Sequence, residues 1–254
     1  MGDAAKNGRF SGSYLVRKGF DPLEARIIVY EAGEPPREIT HKEMADRINI
    51  IQKPKAIDDQ FIETTRMPEY MRLVEIGSRN RSGTIRNDIF DGRDYTGVDV
   101  LRGENVNLLA DAHQLSRHFD PGSVDAVFSL NTFEHLAMPL QVILEINKIL
   151  RVGGLVYLDA PQTIGLHEMP WDFFRFSDRA WESLLNKATG FEVIRTRMNH
   201  PTHIVPMFYQ GGIFSNYKAT AGYLGSAVLA RKTGDPTVTL DADFSQTATG
   251  LYPE

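Results

Sequence analysis

A glycine and two acidic residues end three successive apolar segments, and their chemistry at these positions suits the binding of a nucleoside. Gly77 follows residues 73–76, and glycine there permits a sharp turn and a close approach of the backbone to a ligand. Asp99 ends the next segment, where a carboxylate accepts hydrogen bonds from both ribose hydroxyls. Asp111 ends the third, where an acid can accept from an adenine amino group. Each acid alone is equally typical of a helix cap or a turn, so the prediction depends on all three together.

The segments that carry these residues alternate with helical segments from about residue 72 onward. Such alternation predicts a doubly wound α/β fold with a mainly parallel sheet, and ligands of such sheets bind at the carboxyl ends of the strands. The predicted strands are 73–77, 95–99, 106–111, 124–130, 155–160, 191–196 and 222–230, and the predicted helices are 139–150 and 178–188.

Residues 22–70 have a helical pattern and predict an N-terminal helical cap on the main domain. The first helix would begin near Pro22, with Ile27 and Ile28 on its apolar face. A second helix would begin at Thr40, and a third would cover 57–70. We therefore predict three parts: a mobile segment with the helical cap at 1–70, the main domain at 71–232, and a C-terminal tail at 233–254.

Composition narrows the class of protein. The chain has 254 residues, of which 42% are hydrophobic, enough for the core of one domain with an appendage. A formal net charge of −5 argues against a nucleic-acid or anionic-membrane partner. The absence of cysteine excludes disulfides, thiolate zinc sites and a cysteine nucleophile. Since no apolar stretch is long enough for a membrane helix and residues 1–10 are unlike a signal peptide, we expect a cytoplasmic protein and leave self-association open.

Taken together, six segments resemble the class I, Rossmann-like methyltransferases that use S-adenosylmethionine (SAM), in particular the branch that methylates small molecules. The resemblance covers about residues 72–232. It implies a seven-stranded sheet in the order 3-2-1-4-5-7-6 with the seventh strand antiparallel, SAM as cofactor and S-adenosylhomocysteine as product. The segments are Val74-Glu75-Ile76-Gly77, Gly97-Val98-Asp99, Asp111-Ala112, residues 123–129, Phe133-Glu134-His135-Leu136 and residues 149–155.

Carried over by position, the resemblance implies a cofactor site along the strand ends. Glu75 and Gly77 would line the methionine end of SAM, and Ser129 and Asn131 would contact it from beyond the fourth strand. Asp99 would hold the ribose, while Asp111 and Ala112 would meet the adenine. The predicted cofactor-binding residues are Glu75, Gly77, Ser78, Arg79, Gly83, Asp99, Val100, Asp111, Ala112, Ser129 and Asn131.

The loop after the first strand departs from the family pattern E-x-G-x-G-x-G. Arg79 and Arg81 stand where the second and third glycines would be, and Gly83 comes two residues late. Either arginine could pair with the SAM carboxylate through a charge-assisted contact. The alternative is that both point into solvent, as long charged side chains usually do.

Two histidines are candidates for the base that a hydroxyl acceptor would need. His135 follows the fourth strand, and imidazole is well matched to proton transfer near neutral pH. A structural role in anchoring the next helix is the alternative. His167 opens the loop after the fifth strand, which also contains Asp172 as a further candidate base.

The loop 167–176 combines ionisable groups with aromatic residues where the resemblance implies the acceptor pocket. Trp171 and Phe174 would form an apolar wall, and Arg175 would orient the acceptor. The alternative is that Asp172 and Arg175 form a structural pair. With the cap, this loop predicts methylation of a small-molecule hydroxyl, on a sugar or a secondary metabolite, by in-line transfer.

Other functions have weaker support in the sequence. A side chain at Arg79 would obstruct the pyrophosphate of a dinucleotide, which disfavours an NAD-dependent oxidoreductase. Small-molecule N-methylation and a catalytically silent binding or scaffold protein remain as alternatives. No metal is predicted: His200 and His203 are three residues apart, but no further ligand is evident nearby.

Overall fold

The computed structural model describes residues 27–29, 35–39, 58–81, 90, 92–204 and 220–240. The chain divides into two compact units, one formed by residues 1–54 with 201–222 and the other by residues 55–200 with 223–254. All the predicted site residues except Gly83, which lies outside the described residues, belong to the second unit. The three-part division predicted from the sequence stays a prediction.

In the first unit, the residues predicted to begin the helical cap form a strand pair. Strand β1 (Ile27–Val29) pairs antiparallel with strand β2 (Arg37–Ile39), and Ile28 lies opposite Glu38. The predicted helix through Ile27 and Ile28 is therefore wrong at these positions. Three consecutive β-branched residues favour extended structure over a helix. The predicted helix from Thr40 lies outside the described residues.

The main sheet has seven strands in the order β5-β4-β3-β6-β7-β9-β8. Strands β3, β4, β5, β6 and β7 pair in parallel, and β9 pairs antiparallel with β7. Counted among themselves, the strands follow the predicted order 3-2-1-4-5-7-6. The strands are β3 (Arg72–Ile76), β4 (Asp94–Asp99), β5 (Leu108–Leu109), β6 (Val124–Leu130), β7 (Leu150–Pro161), β8 (Phe191–Ile204) and β9 (Thr220–Lys232).

This order fixes where a ligand can bind. From β3 the chain continues to β4 on one side, and β6 pairs with β3 on the other side. The loops that leave β3 and β6 therefore diverge and open a crevice at the carboxyl ends of the strands, the usual ligand site of open α/β sheets.

Three α-helices flank the sheet within the described residues, each begun by a local signal. Helix α1 (Asp59–Thr65) is capped by Asp58, whose carboxylate accepts from the N–H groups of Gln60 and Phe61. Helix α2 (Pro139–Ile149) has proline in its first turn, and helix α3 (Asp178–Leu184) is capped by Ser177. Short 3-10 helices cover Ala112–Arg117, Phe133–His135 and Lys187–Thr189.

Side chains that alternate along the strands build a core on each face of the sheet. On one face, Phe61 of α1 lies 6.0 Å from Phe128 of β6, ring centre to ring centre. On the other, Trp181 of α3 stacks on Phe176 at 4.4 Å and donates its indole N–H to Ser226. Helix α1 thus lies against the sheet, and part of the predicted third helical segment is confirmed as helical.

The last residue of β9 closes the carboxyl end of α2. Lys232 is buried, and its ammonium donates to the carbonyl oxygens of Asn147 (2.7 Å) and Leu150 (3.0 Å). A cation at this end satisfies carbonyls that have no helical partner and complements the helix dipole. In the part of the chain that the structure describes, no helix has the length and apolarity needed to cross a membrane.

Candidate active site

The turn after β3 depends on glycine at position 77. Gly77 has a φ of +75°, which favours glycine, and an added Cβ would lie 1.9 Å from Oγ1 of Thr132. The N–H groups of Gly77 and Ser78 both donate to the carbonyl of Val98, at 2.8 and 3.1 Å. The turn is therefore held against β4 on one side and lies in contact with the segment after β6 on the other.

The loop that follows is anchored to the residues before β5. The hydroxyl of Ser78 donates to the carbonyl of Asn105 (2.9 Å), and the N–H of Asn80 donates to the carbonyl of Glu104 (3.0 Å). Ser78 is buried, so its side chain fixes the loop. The predicted contact of Ser78 with the cofactor stays a prediction on this basis.

Glu75 lies beneath this loop and is fully buried. Its carboxylate accepts hydrogen bonds from the hydroxyl of Tyr95 and, at 3.5 Å, from the amide of Asn105. The same amide donates to the carbonyl of Ser78 at 3.0 Å. Glu75 therefore supports the glycine turn from below, and its predicted place at the methionine end stays a prediction. Tyr95 and Asn105 were not identified from the sequence because they join Glu75 only through tertiary contacts.

Asp99 ends β4 and is held by two backbone groups. One carboxylate oxygen accepts from the N–H of Leu101 (2.8 Å) and the other from the N–H of Arg79 (3.4 Å). Since Asp99 pairs with Leu109 of β5, the ends of β4 and β5 are adjacent, and Asp111 follows on the same edge. This arrangement agrees with a groove along successive strand ends.

Arg79 does not extend into solvent, and its predicted pairing with the SAM carboxylate stays a prediction. Its Nε lies 3.8 Å from Oδ1 of Asp99, and its aliphatic stem covers Gly103, where an added Cβ would lie 2.7 Å from Cγ of Arg79. The side chain at the second glycine position therefore folds back on the predicted ribose acid. Arg81 instead forms an ion pair with Glu168 of the loop after β7.

Asp111 has the capping role that the sequence left open. One oxygen accepts from the backbone N–H of His113 (2.9 Å) and lies 2.7 Å from Nδ1 of the same residue. Nε2 of His113 accepts from the N–H of Met138 (3.2 Å). Asp111 thus begins the 3-10 helix of which buried Ala112 is the first residue, and contact of the two residues with adenine stays a prediction.

The two residues predicted after β6 differ in access. Ser129 is fully buried and donates its hydroxyl to the carbonyl of Ile76 (2.9 Å), which joins β6 to β3. Asn131 is exposed and has a φ of +50°, a left-handed conformation that asparagine tolerates. Of this pair, Asn131 is therefore the residue whose side chain can meet a ligand.

His135 and His167 converge on a carboxylate that the sequence did not single out. Nε2 of His135 and Nε2 of His167 each lie 3.7 Å from Oε1 of Glu134, and the two rings are 5.0 Å apart. Glu134 is 0% exposed, and neither carboxylate oxygen has a hydrogen-bond partner among the described residues. Sequence reasoning treated Glu134 only as part of a family segment, because His167 is distant along the chain.

Burial controls protonation in this cluster. It raises the pKa of Glu134 to about 8, against the lowering effects of a backbone hydrogen bond and of the Arg175 charge. Burial also lowers the pKa of His135, against a hydrogen bond from its ring to the Trp171 carbonyl. His135 is therefore neutral near pH 7.

The loop 167–176 is ordered by the pair that the sequence offered as its structural alternative. The guanidinium of Arg175 donates to both carboxylate oxygens of Asp172, at 2.5 and 2.8 Å, and to the carbonyls of Ile164 and Gly165. These bonds hold the pKa of Asp172 well below its usual range, against burial. A carboxylate in this state is a poor general base, so Asp172 and Arg175 position the loop.

Aromatic residues of the loop line the approach to the histidines. Trp171 accepts the Nδ1 proton of His135 on its carbonyl (2.7 Å), and its indole N–H is buried without an acceptor among the described residues. Phe174 is 40% exposed. The N–H groups of Phe173 and Phe174 donate to the carbonyl of Glu134, which fastens the loop to the residues after β6.

Comparison with known proteins agrees with this geometry. Residues 91–158 match the family model of a methyltransferase domain, a stretch that includes Asp99, Asp111, Asn131 and His135. No curated protein matches the chain in sequence. The matched stretch contains β4, β5 and β6, so this part of the chain is similar to a methyltransferase domain.

Solved structures are similar to this chain at low sequence identity, and the likeness concerns the fold alone. The YcgJ protein of Bacillus subtilis is 14% identical, covers 69% of this chain and 97% of its own, and has a TM-score of 0.49. The 1,6-didemethyltoxoflavin-N1-methyltransferase of Burkholderia thailandensis is 14% identical, with 85% and 99% covered and a TM-score of 0.49. A SAM-dependent methyltransferase of Archaeoglobus fulgidus is 14% identical, with 68% and 94% covered and a TM-score of 0.46.

Proposed function

We propose that the domain transfers the methyl group of SAM to a hydroxyl of a small molecule bound against the loop 167–176. The observation that carries this proposal is that His135 and His167 converge on Glu134. Glu134 and His135 lie in the segment that follows β6. Exposed apolar side chains on and beside this loop, Leu166, Met169 and Phe174, supply a partly apolar wall for such an acceptor.

Both histidines have the tautomer that a base needs. Nδ1 of His135 faces the Trp171 carbonyl at 2.7 Å, and Nδ1 of His167 faces the Gly165 carbonyl at 3.0 Å. A carbonyl only accepts, so each Nδ1 carries the proton and each Nε2 keeps its lone pair. Nε2 can then receive the hydroxyl proton while the acceptor oxygen bonds to the methyl carbon and the carbon–sulfur electron pair returns to sulfur.

The acceptor and the base can be tested together. The chain would be incubated with methyl-labelled SAM and a panel of small hydroxyl compounds, each paired with the corresponding amine. With a hydroxyl acceptor, His135→Ala, His167→Ala and the double variant should lower kcat by about 10²–10⁴-fold and leave SAM affinity unchanged. His118→Ala, which removes an exposed histidine, is the control. Full turnover in the double variant would refute the base assignment, and labelling of amines alone would favour N-methylation.

A further inference from the structure

Glu134, His135 and His167 present three ligand atoms to one point. Oε1 of Glu134 and Nε2 of each histidine lie within 4.8 Å of one another, and both nitrogens are 3.7 Å from the carboxylate oxygen. At 3.7 Å no hydrogen bond joins these atoms. One carboxylate oxygen and two imidazole nitrogens are therefore gathered at one place without being hydrogen-bonded to one another.

The supporting contacts are those of metal-binding histidines. Each imidazole donates its Nδ1 proton to a backbone carbonyl, of Trp171 for His135 and of Gly165 for His167. Ligating histidines characteristically donate their second ring nitrogen in this way, which fixes the ring and directs Nε2 to the ion. Both rings, which belong to different loops, direct Nδ1 to a backbone carbonyl, although either ring nitrogen could have made this contact.

Glu134 supplies an independent observation. Its carboxylate is fully enclosed, and both oxygens lack hydrogen-bond donors among the described residues. Burying a carboxylate without donors costs several kcal/mol unless a positive charge compensates. The titratable groups that interact with it are the acids Asp159 and Asp172 and the base Arg175, and Arg175 is already bound to Asp172 on both oxygens. A bound cation would therefore supply the partner that the Glu134 carboxyl group lacks among the described residues.

We propose that Glu134, His135 and His167 bind a divalent transition-metal ion such as Zn²⁺, with coordination positions left open. Two imidazoles and one carboxylate are a ligand set of catalytic zinc sites, which keep a position for water or substrate. A tetrahedral ion about 2.1 Å from its ligands separates them by about 3.4 Å. Each histidine nitrogen lies 3.7 Å from Oε1 of Glu134 and all three atoms lie within 4.8 Å of one another, so each ring needs to move by about an ångström or less to reach this geometry. The side chains of His135 and His167 are 20% and 35% exposed, which leaves a path for the ion.

This inference deepens the proposed function and, for the role of the ion, rests on it. An oxygen of the acceptor would coordinate the ion and release its proton to water, because a bound cation lowers the pKa of a coordinated hydroxyl. That oxygen then attacks the methyl carbon as the carbon–sulfur bond breaks toward sulfur. The ion would select acceptors that offer a hydroxyl. With both Nε2 atoms bound to the ion, the two imidazoles would act as ligands, and water would take the proton that the proposed function otherwise assigns to an imidazole.

The test measures ion binding without any acceptor. Untagged protein is treated with a chelator, dialysed and titrated with Co²⁺, whose visible absorption reports a site with nitrogen ligands. We expect saturable binding of one ion per chain and a rise in Tm with Co²⁺. Glu134→Gln and His167→Ala should weaken binding by roughly tenfold or more, while His118→Ala should bind as the wild type does. SAM affinity, measured on each variant, shows that the cofactor site is intact.

The outcomes separate this inference from the proposed function. The metal site is overturned if Co²⁺ does not bind saturably at millimolar concentration, or if Glu134→Gln and His167→Ala leave its binding unchanged. In that case, methylation of a hydroxyl that resists a chelator would still support the proposed function. Specific Co²⁺ binding without hydroxyl methylation supports the site and rejects the proposed acceptor. Without any metal, Glu134→Gln should raise Tm at a pH above about 8, the raised pKa of Glu134, because it removes the buried carboxylate charge.

Discussion

Gly77 and Thr132 approach so closely that a single added methyl group at Gly77 would lie 1.9 Å from Thr132 Oγ1, 2.6 Å from its Cγ2 and 2.7 Å from its Cβ. The two residues belong to the loops that diverge from β3 and β6. Their contact therefore sets the width of the crevice in which the methionine end of SAM is expected to bind.

Replacing Gly77 by alanine should destabilise the fold in two ways. A left-handed φ costs a non-glycine residue about 1–2 kcal/mol, and the clash with Thr132 adds about 1–3 kcal/mol. Gly92→Ala is a matched control, because Gly92 has a φ of +77° and nothing within 4 Å of an added Cβ. The free energy of unfolding, measured in urea, should fall further for Gly77→Ala than for Gly92→Ala.

The double variant Gly77→Ala, Thr132→Gly isolates the clash. Thr132→Gly removes all three atoms that an added methyl group would meet, so the double variant should be more stable than the sum of the two single losses implies. If the stability losses of the two single variants were strictly additive, contact with Thr132 would not be the reason why position 77 requires glycine.

Asp99→Asn should weaken SAM binding by one to two orders of magnitude. The substitution removes the charge that strengthens hydrogen bonds to the ribose hydroxyls, and a hydrogen bond to a charged group contributes about 1.5–3 kcal/mol. Calorimetric titration with SAM measures the change. Asp94→Asn, at the exposed start of the same strand, controls for the loss of one negative charge, and equal affinity in both variants would remove Asp99 from the site.

The pair Asp172–Arg175 should contribute to stability far more than an exposed pair with the same spacing. The Asp172 side chain is enclosed, whereas the matched i,i+3 pair Arg179–Glu182 is exposed. We expect Asp172→Ala to lower the free energy of unfolding by about 1–3 kcal/mol and Glu182→Ala to change it little. Because the pKa of Asp172 is lowered in the folded state, the decrease in unfolding free energy caused by Asp172→Ala should have its full size near neutral pH. It should shrink as pH falls below about 4, the unfolded value.

Asp159 should make the fold less stable as pH rises. Burial raises its pKa to about 7, against the Arg197 charge and a hydrogen bond from Asn199; Tyr157 and Glu134 are the other ionisable groups that interact with it. The folded state then holds a proton that the unfolded state releases near pH 4, so stability falls between about pH 4 and 7.

Asp159→Asn should remove the part of this fall that Asp159 causes and leave the part that the raised pKa of Glu134 causes. At pH 8 the variant should unfold at higher urea than the wild type, by up to about 4 kcal/mol at roughly 1.4 kcal/mol per pKa unit, and at pH 4 the two should converge. Asp120→Asn, at an exposed position, provides the baseline for removal of one carboxylate. A wild-type profile that rises from pH 4 to 7 would contradict the raised pKa.

The sheet was accessible to sequence reasoning because its signals are local. Short apolar segments that end in Gly77 and Asp99 predict strands of a parallel sheet, and the resemblance implied the observed order. The N-terminal part shows where a periodic pattern fails. Ile27 and Ile28 fit a helical face by spacing, but the β-branched run that they form with Val29 extends as a strand in the structure.

The site could be predicted only in part, because its electrostatics depend on tertiary contacts. The position of Asp99 followed from the end of a strand, but the return of Arg79 onto that carboxylate depends on Gly103 leaving room for its stem. The predicted candidates His135 and His167 do lie together. The carboxylate that joins them, Glu134, was overlooked because nothing in the sequence shows that a glutamate has no hydrogen-bond donor.

The position of β9 between β7 and β8 has a consequence for synthesis on the ribosome. β8 leaves the exit tunnel first, yet its neighbour in the sheet is β9, which is translated later. The backbone N–H and C=O groups of residues 191–204 therefore lack their partners in the sheet until residues 220–232 emerge and insert beside β7. During that interval β8 is accessible to a chaperone that binds nascent chains.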